Sequence, residues 1–73
     1  MNKAKVKKLG TIIRRERTKR GMTQRQLAEE IGTPQTYISK YELGGLIPRY
    51  EDFIALKKFL EVEEEFNQLL KGK

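Results

Sequence analysis

Cysteine and histidine are both absent from the 73 residues. Without cysteine there is no disulfide framework and no thiolate metal site. Without histidine the commonest general base, the commonest zinc ligand and the usual switch near neutral pH are all missing. Tryptophan is absent as well, and only two prolines interrupt the chain. No stretch approaches the roughly 20 apolar residues that span a bilayer. The basic start is not followed by the apolar run of a signal peptide, so a cytoplasmic protein without a membrane anchor is expected. There is no glycine-rich phosphate loop and no base–nucleophile pair, which argues against an enzyme. Nothing suggests a cofactor. Internal repeats and low-complexity runs are also lacking.

What is present is charge, unevenly placed. The formal net charge is +6. Residues 1–20 carry +8, residues 21–49 are balanced, and residues 50–73 carry −2. A basic front with a mildly acidic back suits a protein that meets a polyanion on one side. A lysine-rich solvated surface would give the same count. At this length one small domain is expected, with a marginal core.

The stretch Thr23 to Gly44, TQRQLAEEIGTPQTYISKYELG, reads as two short helices around a tight turn. Thr23 can cap the first helix, and Gln26 three residues on completes a capping box. Met22 and Leu27 are spaced as a hydrophobic staple. Leu27, Ala28 and Ile31 share one face at helical spacing, and Gly32 stands where a helix end wants positive φ. Thr33 is read as the cap of the second helix, and Pro34 as its first residue. Only one residue, or two, then separates the helices. Ala28 allows them to approach closely, and Ile38 and Tyr41 point back at the first helix. Gln35, Thr36, Ser39 and Lys40 are left on the outer side, as short donors and acceptors with a single charge. A merely solvated face carries Glu and Lys more often.

These residues resemble a known family. Gln24, Ala28, Gly32, Ile38, Tyr41, Glu42 and Gly44, in that spacing, with Gly-Met-Thr-Gln before them and Tyr-Glu-Leu-Gly after, resemble a helix-turn-helix DNA-binding domain of the Cro and phage-repressor (Xre) type. The resemblance runs from about Leu9 to Leu70. It implies an all-α, compact five-helix domain, bacterial, archaeal or phage-encoded and associated with the nucleoid. It also implies that Arg17 pairs with Glu42, a fork of donors meeting a carboxylate, and that Gln24 clamps the DNA backbone. In small members the C-terminal end often builds a two-fold dimer interface.

Helices are expected over about 9–20, 24–31, 34–43, 50–60 and 63–71. Residues 1–8 form a basic N-terminal arm, either free or a loose helical extension, which can trail along phosphates. The domain proper is residues 9–71. In the first helix Leu9, Ile12 and Ile13 are apolar, while Arg14, Arg15, Lys19 and Arg20 face solvent. In the loop 43–49 one of Leu46 and Ile47 plugs the core. Glu51 and Asp52 suit the positive end of the fourth helix, and Phe53, Leu56 and Leu60 form its buried stripe. The resembling family usually has glycine where Glu61 stands, which leaves the following turn open. Glu63, Glu64 and Glu65 point in different directions along a helix and make a poor metal cluster. Phe66, Leu69 and Leu70 are the apolar side of the last helix, for a dimer face, for closing the core, or for both.

The expected partner is double-stranded DNA with a roughly palindromic operator, bound by a homodimer. The first turn of a recognition helix reaches base edges, so Pro34, Gln35, Thr36, Ser39 and Lys40 are the expected base contacts. Thr23, Gln24, Arg25, Tyr37 and Arg49 are the expected phosphate contacts, which position without reading sequence. Two rival readings stand beside this. One is a protein-interaction or antitoxin-type module that uses the C-terminal apolar side, with DNA binding secondary. The other is single-stranded RNA binding, which usually stacks bases on exposed aromatics, and Tyr37 is the one candidate for that.

Overall fold

The structure is a computed structural model that describes residues 2–71. Met1, the first residue of the expected arm, lies outside the described residues. The elements are α1 (Lys3–Lys19), α2 (Gln24–Ile31), α3 (Gln35–Leu43), α4 (Tyr50–Phe59) and α5 (Glu63–Lys71). No strand occurs among the described residues.

Helix α1 starts at Lys3 rather than Leu9. The Asn2 side chain accepts from the backbone N–H of Lys5 at 2.9 Å and caps it. Residues 3–8 are therefore its first turns, and Val6 lies buried there. Val6, Leu9, Ile13, Glu16 and Arg17 are all buried along α1, at intervals of three, four, three and one. Gly10 shares this inner face. A Cβ at that position would collide with the carbonyl oxygen of Tyr41 and stand 2.8 Å from that of Glu42. Helices α1 and α3 thus touch backbone to backbone.

The capping box of α2 is complete. Thr23 Oγ1 accepts from the Gln26 N–H at 3.0 Å, and the Thr23 N–H donates to Gln26 Oε1 at 2.8 Å. Gly32, at φ +73°, ends the helix. Three residues, not one or two, separate α2 from α3. Pro34 is the N-cap of α3 rather than its first helical residue, and it makes no side-chain cap. Thr33 is not a cap either, because its hydroxyl is buried and turned toward α4.

The core gathers Leu9, Ile13, Leu27, Ala28, Ile38, Tyr41, Leu56, Leu60, Val62 and Phe66, so every helix contributes or abuts it. Leu46 packs against this cluster, while Ile47 is 51% exposed. Helix α4 stops at Phe59. Glu61 takes φ +57° and makes the turn that glycine makes more easily, at a cost of about 1–2 kcal/mol for a residue with a Cβ.

The end of α1 is tied to the C-terminal half by charge. Glu16, 7% exposed, meets Arg20 at 2.8 Å, Arg15 at 3.0 Å and Lys19 at 3.6 Å. Arg15 also meets Glu65 at 2.7 Å, and Arg20 Nη2 donates to the Leu60 carbonyl at 2.9 Å. Arg15 and Arg20 are thus bound within the protein and are not simply solvated. The hydrogen bond from Arg20 holds the Glu16 carboxyl below its usual range against the opposing pull of burial, and Arg15 and Lys19 add to it.

Candidate nucleic-acid interface

Helix α3 has one buried and one open side. Ile38 and Tyr41 are at most 1% exposed and face the core. Pro34, Gln35, Thr36 and Lys40 are exposed and Ser39 is half-buried. The five residues expected to touch bases therefore lie on or at the start of one helix, with four of them exposed. Ala28, at 2% exposure, and left-handed Gly32 let α2 pass close beneath. A larger residue at Ala28 would push α3 outward.

Two polar ties hold α3. Toward its C-terminal end, Glu42 Oε2 accepts from Arg17 Nε at 2.6 Å and Oε1 accepts from Arg17 Nη2 at 3.0 Å. The side chains are 11% and 3% exposed. Arg17 Nη1 also donates to the Met22 carbonyl at 2.7 Å, and Gln24 Nε2 to Glu42 Oε1 at 3.1 Å. One carboxylate thereby joins α1, the start of α2 and the end of α3. The two-pronged bond from Glu42 raises the Arg17 guanidinium above its ordinary value, against the opposing effect of burial.

The second tie lies behind the turn. Asp52 is 2% exposed. Its Oδ2 accepts from the Tyr41 hydroxyl at 2.6 Å, from the Thr33 hydroxyl at 2.9 Å and from Arg49 at 3.3 Å. Arg49 Nη2 also donates to Thr33 Oγ1 at 3.1 Å. Its guanidinium carbon sits 4.8 Å from the Tyr37 ring centre, and the Tyr37 and Tyr41 rings lie 6.2 Å apart. Burial first, and then the bond to Asp52, push the Tyr41 phenol up. Among the described residues no buried side-chain polar atom lacks a hydrogen-bond partner.

The residues expected at phosphates are divided. Thr23 and Arg25 are exposed at the start of α2, with Arg25 in a solvated pair with Glu29 at 3.4 Å. Gln24 is half-buried on Glu42. Tyr37 is half-buried, flanked by Tyr41 and Arg49. Arg49 is bonded inward. Of the three residues expected at a dimer face, Phe66 is fully buried and stacks on Phe53 with ring centres 5.2 Å apart. It closes the core and is no surface residue. Leu69 is packed against the core, and only Leu70 is open, at 46%. Leu70 shares a groove with Ile47, Tyr50 and Ile54.

Gly10, Thr33 and Asp52 carry more of the site than their sequence positions suggest. Asp52 was legible only as a charge at a helix start, and Thr33 only as a cap. Among the described residues no group of three or more acidic side chains is placed to hold a metal ion. No helix there is long and apolar enough to cross a membrane.

A comparison with curated protein sequences found no match. The profile of the helix-turn-helix family HTH_3 matches residues 13–67, a span that takes in the C-terminal part of α1, both helices around the turn, α4 and the start of α5. With well over half of its length matched, the chain belongs to the HTH_3 family of helix-turn-helix domains, the Cro/C1 or Xre type, which binds DNA and is not enzymatic.

Proposed function

We propose that this chain is a sequence-specific transcriptional repressor that lays α3 in the major groove and acts as a homodimer on a roughly palindromic operator. The observation that carries the reading is the outer side of α3, where Gln35, Thr36 and Lys40 are open while the opposite side is locked into the core. The major groove admits such a helix and shows each base pair as its own donor and acceptor pattern. Gln35 would bond adenine through both amide groups. Thr36 would bond a base or set its methyl against that of thymine. Pro34 adds an apolar contact, Ser39 permits close approach, and Lys40 reaches guanine or a phosphate. Thr23, Gln24, Arg25 and Tyr37 would hold the flanking phosphates and fix the register.

Two copies would meet through the groove of Ile47, Tyr50, Ile54 and Leu70, where three of the four exposed large apolar side chains among the described residues gather. The same groove supports the rival reading, in which a partner protein of another kind sits there and DNA binding is secondary. Bound on DNA, a dimer places its two recognition helices about 34–36 Å apart, in successive grooves on one side of the duplex.

Selection of bound sites from random duplexes tests both parts. The reading expects two inverted half-sites about one helical turn apart. A single half-site would remove the dimer from it, and no enriched sequence would remove sequence reading altogether. On the selected site Gln35→Ala should weaken binding by roughly 1–3 kcal/mol and leave scrambled DNA unaffected.

A further inference from the structure

We infer that Arg49 is a positioning residue that sets the orientation of α3, so that sequence discrimination depends on its forked guanidinium and not on its charge. This rests on the DNA-reading role proposed for α3. Its place just after the recognition helix makes Arg49 look like a phosphate contact, but its donors point elsewhere. Nε and Nη2 both bond Asp52, at 3.3 Å, and Nη2 also bonds Thr33 Oγ1 at 3.1 Å. The backbone N–H of Arg49 reaches the Tyr41 hydroxyl at 3.4 Å. The flat cation covers the Tyr37 ring at 4.8 Å. Of the Arg49 nitrogens, only Nη1 makes no hydrogen bond to a described residue.

The location of those partners gives the contact its meaning. Thr33 is in the turn that leads into α3, Tyr37 is on the first turns of α3, and Tyr41 is in its second half. Asp52 is on α4 and buried at 2% exposure. Arg49 is the N-cap residue of α4, so its side chain fastens the start of α4 to Thr33 and Tyr37, at the entry and first turns of the recognition helix, while its backbone N–H reaches Tyr41. The network is closed. Thr33 and Tyr41 each donate to Asp52 and each accept from Arg49. A lysine would supply the charge but not the planar fork or the stacking surface. Small errors in the placement of a recognition surface lower specific contacts and leave general attraction to phosphates intact.

Arg49→Lys and Arg49→Gln separate the two roles. Each is checked for a folded melt, then titrated with the selected duplex and with a scrambled duplex over a range of salt. Positioning predicts that Arg49→Lys loses roughly tenfold on the selected duplex. Its affinity for scrambled DNA and its salt slope stay at the parent's values, and Arg49→Gln shows the same loss of discrimination. If Arg49→Lys matches the parent on both duplexes while Arg49→Gln weakens on both, with a slope shallower by about 0.9, Arg49 is a phosphate contact and the inference is overturned. Parent-like discrimination in both variants overturns it as well. Thr33→Val repeats the test from the turn without altering charge. A selective loss supports positioning, and an unchanged ratio opposes it. A parent that itself shows no preference between the duplexes would overturn the proposed function first, which a failure confined to the variants would not.

Discussion

Gly10→Ala sets two physical effects of opposite sign against each other. Alanine in a helix interior is ordinarily more stable than glycine by roughly 0.8–1.0 kcal/mol. At Gly10, however, the added methyl would run into the carbonyl oxygens of Tyr41 and Glu42, which belong to the backbone of α3 and cannot swing aside as a side-chain end would. Overfilling a packed contact costs typically 1–3 kcal/mol, and here relief requires α1 and α3 to separate along their whole contact. The expected net change is a loss of about 1–2 kcal/mol, which lowers Tm by roughly 4–16 °C in a domain of this size. Gly45→Ala is the control, because a Cβ there meets only the Lys40 carbonyl at an ordinary 3.9 Å. Thermal melts by circular dichroism, supported by urea titration, decide the sign. A rise in Tm for Gly10→Ala would show that helix propensity outweighs the contact and would refute the close approach of α1 and α3.

Arg17→Met leaves the buried Glu42 carboxylate without its fork and should destabilise by roughly 3–5 kcal/mol in urea, with most of that regained in the Arg17→Met, Glu42→Leu double variant. A single-variant loss below about 1 kcal/mol would mean that the pair is solvated in practice. Tyr41→Phe should lose about 1.5–3 kcal/mol at neutral pH, as expected for a hydrogen bond to a charged partner. It should also change the alkaline limb of the stability curve. Burial, and after it Asp52, raise the Tyr41 phenol above its ordinary value, so the unfolded chain gives up that proton first. The contribution is complete below about pH 10 and is lost as pH rises through the higher folded value. Denaturation series at rising pH should therefore fall more steeply for the parent than for Tyr41→Phe, and parallel curves would contradict the assignment. Glu61→Gly should raise stability by about 0.5–1 kcal/mol, the relief of a left-handed conformation less the added freedom of the unfolded chain. A lower Tm would show that the Glu61 side chain contributes more than its backbone angle costs.

The part of the fold that repeats locally was open to reading from the sequence. The capping box at Thr23 and Gln26, the glycine stop at Gly32 and the apolar spacing of Leu27, Ala28 and Ile38 are all short-range devices, and the chain states them directly. The outer row of α3 follows from the same periodicity. What stayed hidden needs partners distant in sequence. Asp52 looks like a helix-dipole charge until Thr33, Tyr41 and Arg49 are seen around it, 19, 11 and three residues away. Glu16 looks solvated until Arg20 bridges it toward Leu60. Gly10 carries no signal of its own, since a glycine inside a helical pattern reads only as a weak spot. The basic start was open for a different reason, since a free arm and a helical extension fit its lysines equally well. Lysines at Lys3, Lys7 and Lys8 suggest an arm, but Asn2 caps them into α1 and Val6 holds that turn down. The apolar side of α5 divides because its first aromatic, Phe66, meets Phe53 inside the same chain, and only its tip reaches the surface.

The two ties on α3 bear on how a duplex must behave to be accepted. A rod anchored near both extremities has little freedom to tilt or slide toward an imperfect target. On the role proposed for α3, accommodation would then fall on the nucleic acid, which would have to bend, twist or narrow its grooves to bring base edges within reach. Steps that deform easily, such as TA and CA, would gain an advantage at positions no side chain touches. Selectivity in this small domain would thus be partly a measurement of duplex stiffness, made by a protein surface that does not yield.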